Sequence, residues 1–190
     1  MIKIYKVSRC IQILLVVIAF RQVIAHGLLV IKGEYKQGYY QLSADSGFTS
    51  IIARHQVSNS WENITQALEV EGFNSLFILG TVELIPYLLI YFFLFKLFSH
   101  YYRGEIFTDM ANQCLKNIGK TLIFWIGINI IYPVLVTLFI RFGGWSDSLA
   151  VYIGVGSTEL YYLLLGLVIY VVAWVMTQGL KLQKEQELTI

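Results

Sequence analysis

The stretch Leu15–Val30 reads LVVIAFRQVIAHGLLV, and Arg21 stands in the middle of a run that is otherwise almost wholly apolar. About 20 such residues span the hydrocarbon core of a bilayer as a helix. A lone arginine at the centre of that helix costs about 2.5 kcal/mol upward, a penalty that an inward orientation and an acidic partner largely remove. The stretch therefore predicts a membrane protein of several spans with a polar layer in its core.

Composition points the same way. The 190 residues are 57% hydrophobic and 14% charged, with two prolines, and the mean hydropathy is +0.65. That is more apolar than a soluble domain of this length. The formal charge of +2 is small and scattered, which argues against direct nucleic-acid binding, since that needs a concentrated basic face. Membrane lipids and other proteins are the expected partners, a second copy of the chain among them. Cys10 and Cys114 lack metal-ligand spacing, so no metal site, cofactor or disulfide is expected.

Three further segments resemble the first. The spans run from about Cys10 to Ile31, Asn74 to Phe98, Ile118 to Ile140 and Leu160 to Leu180. Lys3, Lys6, Arg9, Lys96, Arg103, Lys116, Lys120, Lys181 and Lys184 then fall on one side of the membrane. Cytoplasmic loops keep such an excess. The expected fold is an all-α integral membrane four-helix bundle, a single membrane domain over 1–190 with both termini cytoplasmic. A long extracytoplasmic loop, 32–73, joins the first two spans, 99–117 is a cytoplasmic loop, and 181–190 is a cytoplasmic tail. A cleaved signal peptide competes for the N-terminus, with Val23-Ile24-Ala25 as the cleavage pattern, but apolar character resumes at Gly27–Ile31, as in a span. Within the outer loop, Trp61, Ile64 and Leu68 recur at helical spacing behind Ser60, which is placed to cap. They predict a short amphipathic helix, either a lid on the spans or a ligand-sensing element.

Depth along each span, at about 1.5 Å per residue, brings the polar residues to one level. Arg21 lies near the midpoint of the first span, and Glu83 in the second falls between the depths of Arg21 and His26. Asn129 and Tyr170 are near the middles of the third and fourth. Pro86 and Pro133 follow Glu83 and Asn129 by about one turn, so both kinks fall at this layer, where they could open a small cavity. Two readings stay open. Arg21, His26, Glu83, Asn129 and Tyr170 are interhelical glue, each contact contributing about 1 kcal/mol or less, or they form a ligand site or proton-sensitive switch. No catalytic set accompanies them, and a non-enzymatic protein is expected.

The connection Arg103–Lys120 reads RGEIFTDMANQCLKNIGK. Thr108 and Asp109 make a helix start, and Met110, Ala111, Cys114, Leu115 and Ile118 form an apolar stripe, either membrane-surface or docking in character. The chain ends GLKLQKEQELTI, Gly179–Ile190. Gly104, Ile106, Phe107 and Thr108, then Gly119, then Gly179, Leu182, Gln183, Glu185, Gln186, Leu188, Thr189 and Ile190 match the pattern of a known family. The chain thereby resembles the bacterial four-span membrane protein family of unknown function represented by YoaS. That resemblance implies the bacterial cytoplasmic (inner) membrane and, as partner, a small cytoplasmic helix-turn-helix transcription factor that the protein holds or releases. Phe107, Thr108, Leu182, Gln183, Glu185, Gln186, Leu188, Thr189 and Ile190 are then the expected partner-binding residues. An oligomeric transport or immunity-type protein working through the Arg21, His26 and Glu83 layer is the alternative.

Overall fold

Helix α1 covers Ile2–Lys32, a basic start followed by the apolar run that holds Arg21. The computed structural model describes residues 2–36, 39–42, 54–56, 61–145, 149–151 and 153–187. After α1 come strands β1 (Gly33–Lys36), β2 (Tyr39–Leu42) and β3 (Arg54–Gln56), then helix α2 (Glu62–Val70). A single π turn, Leu76–Gly80, leads into α3 (Thr81–Tyr102), followed by α4 (Asp109–Phe142) and α5 (Ser157–Glu187). α1, the π turn with α3, α4 and α5 are the four segments long and apolar enough to cross a membrane. Each predicted span lies inside its helix except that the second begins two residues ahead of the π turn. Val17 and Phe20 on α1 and Leu164 and Val168 on α5 are all more than half exposed. Apolar surface of that extent suits contact with lipid.

Residues set the helix ends as the sequence predicts in one case and not in another. Thr108 starts α4: its Oγ1 accepts the Ala111 N–H at 3.2 Å and donates to the Glu105 carbonyl at 3.3 Å. At α2 the N-cap position is Trp61, which makes no side-chain cap bond; Ser60, the expected cap, lies outside the described residues. Gly72, at φ 80°, closes α2 with the paired bonds of a Schellman ending, from Phe73 N–H to the Leu68 carbonyl at 2.9 Å and from Gly72 N–H to the Glu69 carbonyl at 3.0 Å.

The sheet corrects the all-α reading. β1, β2 and β3 form an antiparallel sheet in that order, with Tyr35 opposite Tyr40 and Tyr40 opposite His55. The Tyr35 and Tyr40 rings pack 5.1 Å apart, a cross-strand aromatic pair of the kind that stabilises short strands. Strands of three or four residues are too short for periodicity to reveal.

The chain divides into two compact units. The first comprises Met1–Ala19, Pro86–Trp125 and Leu160–Ile190; the second comprises Phe20–Ile85 and Ile126–Glu159. In the first, α4 and α5 come together at Gly119 and Gly166, where a Cβ on Gly119 would lie 2.9 Å from the Gly166 carbonyl oxygen. Small residues permit this backbone approach between apolar helices. Asn112 Nδ2 donates to Thr177 Oγ1 at 2.6 Å, tying the same pair of helices again. Ala111 and Cys114 are buried against Leu97, with Leu94, Tyr101 and Leu115 around them. Three members of the stripe expected as a surface face, Ala111, Cys114 and Leu115, thus belong to the α3–α4 core, and Ile118 is buried as well, whereas Met110 is exposed.

Candidate functional site

The second unit holds the densest polar construction among the described residues, and it begins with a proline. Pro133 has no N–H, so the carbonyl of Asn129, four residues earlier on α4, lacks its usual intrahelical donor. Trp61 supplies one: its Nε1–H donates to the Asn129 carbonyl at 2.8 Å. The indole is 0% exposed and stands 6.0 Å from the Tyr132 ring. Ile64, Thr65 and Leu68 on α2 are buried beside it in sequence, as the amphipathic spacing requires. α2 is a packed lid in this sense, with its apolar face wholly inside the protein.

Asn129 also reaches α5. Its Nδ2 donates to Glu159 Oε1 at 2.8 Å. Glu159 lies in the first turn of α5 and is only 2% exposed. The orphan N–H groups of a helix start favour negative charge there. Gly156 makes room for the carboxylate, since a Cβ at that position would fall 2.6 Å from Glu159 Oε2. One asparagine therefore joins α2, α4 and α5. Asn129 Oδ1 and Thr65 Oγ1 are buried and make no hydrogen bond to another described residue.

A second hub fastens the sheet and the entry to α3. Glu69 Oε1 accepts from Tyr40 Oη at 2.9 Å, from Ser75 Oγ at 2.6 Å and from the Ser75 N–H at 3.2 Å. Burial first, and then the Glu69 carboxylate, push the Tyr40 phenol well above its ordinary range. Asn74 accepts the Phe77 N–H at 2.9 Å and donates to the Val30 carbonyl at 3.0 Å, linking the π turn to the end of α1. Tyr132 Oη donates to the Ile78 carbonyl within that turn at 2.9 Å.

The expected polar layer is distributed as follows. His26 Nε2 shares a hydrogen bond with Thr81 Oγ1 at 3.1 Å, and Gly80 leaves the space for the ring. Glu83 is buried, whereas Arg21 is on an exposed position of α1. Asn129 is fixed by Trp61 and Glu159. Tyr170 belongs to the first unit, where its backbone N and Cβ pack at Gly119. Of the two helix prolines, Pro86 lines an apolar cavity of about 300 Å³ in the first unit with Leu94, Ile118, Leu122 and Trp125, among others. At Pro133 the Trp61 indole meets the carbonyl that the missing proline N–H frees.

Sequence reasoning missed Glu159, which reads as a loop residue, and the donor role of Trp61, which reads as one apolar position in a stripe. The signal was present in the four-residue spacing of Asn129 and Pro133, which announces an unclaimed backbone acceptor. Among the expected partner-binding residues, Phe107 is 72% and Leu182 60% exposed. Gln183, Glu185 and Gln186 are exposed on α5, and Thr108 is half-buried at its cap. Leu188, Thr189 and Ile190 lie outside the described residues.

No curated protein and no solved structure matches the chain. The profile of the family described as "Protein of unknown function (DUF2975)" matches residues 53–190. The match takes in Trp61, Glu69, Glu83, Asn129, Glu159 and Tyr170, while Arg21 and His26 precede it. Covering well over half of the sequence, it places the chain in the DUF2975 family of proteins of unknown function.

Proposed function

We propose that this chain is a non-enzymatic, multi-pass protein of the bacterial inner membrane that senses a condition on the outer side and controls a small cytoplasmic helix-turn-helix regulator. In this reading both termini are cytoplasmic, the sheet and α2 lie outside, and the four apolar helices form a bundle in lipid. One observation carries it: α2 is bonded through Trp61 to α4, and α4 through Asn129 to α5. Both helices then continue without interruption to the segments that present Phe107, Met110 and Leu182 to the surroundings. A shift of α2 is thereby transmitted along two stiff elements to candidate docking residues, in the manner of helix shifts that switch other proteins. The regulator as partner is what the likeness to the family represented by YoaS implies.

Affinity purification of the detergent-solubilised protein from its host, with mass spectrometry of bound proteins, tests the proposal. A helix-turn-helix protein is expected in the eluate, lost on deletion of Lys181–Ile190 and altered in amount by Asn129→Ala. Retention that ignores both the deletion and a Phe107→Ser/Met110→Ser variant overturns it.

A second reading, oligomeric transport or immunity, draws on the burial of Glu83 in an apolar helix. Glu83→Gln then abolishes flux or protection while leaving folded protein in the membrane. Unchanged flux in the folded variant removes that reading.

A further inference from the structure

Away from the contact of Trp61 with Asn129, the start of α1 carries a groove of about 510 Å³ lined by Tyr5, Lys6, Arg9, Cys10, Ile13 and Tyr102. The α1 residues among them fall at the spacings that share a helix face. The Arg9 guanidinium lies 5.5 Å from the Tyr102 ring centroid, and Tyr5 meets the same ring edge-on at 6.0 Å. The guanidinium thus lies over an aromatic face, a contact that favours its charged form. Neither Lys6 nor Arg9 has a carboxylate partner among the described residues. Glu105, an acid near this end of α3 in sequence, is bound to His100 at 2.7 Å.

The groove changes character along its length. Lys6 and Arg9 are at one end and Ile13 at the other, and seven residues of helix separate Lys6 from Ile13 by about 10 Å. That is the passage from headgroup depth into the acyl region. A small anion has no use for the apolar end, and an acidic peptide does not follow a helix into hydrocarbon. We propose that this groove binds an anionic phospholipid, with the phosphate between Lys6 and Arg9 and one acyl chain along Cys10 and Ile13. Basic clusters beside a span recruit anionic lipid in this way, and the tyrosines give the site a shape that scattered charge lacks. The inference rests on the membrane reading of the helices and not on the regulator.

Native mass spectrometry of the full chain released from nanodiscs of mixed phosphatidylglycerol and phosphatidylcholine tests it. The wild type is expected to retain phosphatidylglycerol over phosphatidylcholine by about thirtyfold, the effect of two basic residues at an anionic lipid. Lys6→Gln/Arg9→Gln brings the ratio to about one, and Ile13→Asn lowers total retention. Cys10 gives a second readout on the wild-type chain, because it is exposed while Cys114 is buried. Phosphatidylglycerol slows its alkylation severalfold, and inorganic phosphate does not. An unchanged lipid ratio in the folded double variant, or full protection of Cys10 by inorganic phosphate alone, overturns the proposal.

Discussion

The indole of Trp61 donates to the main-chain carbonyl of Asn129 at 2.8 Å, and the acceptor is available because the residue four positions on is Pro133. The bond joins a side chain at the start of α2 to a backbone carbonyl that a proline leaves free in an apolar helix. Trp61→Phe keeps most of the packing but strands the carbonyl, at about 1–3 kcal/mol. Pro133→Ala restores an intrahelical N–H to the same carbonyl, so Trp61→Phe costs less in that background. Detergent-denaturation midpoints of the four proteins give the coupling, and additivity of the two changes shows that the carbonyl is not what links them.

Glu159 receives the Asn129 amide in turn. Glu159→Ala leaves that buried amide without its acceptor and costs about 1–3 kcal/mol, whereas Glu159→Gln keeps a side-chain carbonyl in reach and costs less. Thermal melting of the purified variants ranks them, and a Gln variant as damaged as the Ala variant would mean that the negative charge, not the hydrogen bond, holds α5.

The four long apolar helices were legible because runs of that length and hydropathy are what a membrane-crossing helix needs, and Thr108 and Asp109 announced the start of α4 correctly. The sheet was not legible: its strands are shorter than any period that could distinguish them. Asn129 was recognised as a core polar residue, but its partners were sought among polar side chains at the same depth. One partner is a tryptophan, which a count of hydrophobic residues takes as oil, and the other is a carboxylate in the first turn of α5. The bond to Trp61 uses a backbone oxygen, which no inventory of side chains contains. The stripe at Met110, Ala111 and Cys114 shows the complementary limit, since periodicity finds an apolar face without saying whether lipid, a partner or α3 covers it.

Tyr40 gives the sheet a pH dependence of known sign. Its phenol is raised by burial and then by the Glu69 carboxylate, so the stabilisation is complete below the ordinary tyrosine value near 10 and is lost as pH rises beyond it. Above pH ~10 the wild type loses about 1.4 kcal/mol per pH unit relative to Tyr40→Phe. Parallel denaturation of the two proteins between pH 8 and 11, to be chosen within the range where α-helix content holds, checks this; curves that stay parallel above 10 would show that Tyr40 ionises while still in place.

The contact of α4 with α5 in the first unit depends on there being no side chain at Gly119. A Cβ there would come 2.9 Å from the Gly166 carbonyl oxygen and 3.0 Å from the backbone N of Tyr170. Backbone atoms cannot rotate away as a side chain can, so the helices must separate. Gly119→Ala is expected to destabilise by about 1–3 kcal/mol, and Gly119→Val by more. Separation also strains the bond from Asn112 to Thr177 on the same two helices, so Gly119→Ala and Thr177→Val should be less than additive. Melting in detergent measures all three proteins, and a Gly119→Ala variant as stable as the wild type would show that α4 and α5 do not need this approach.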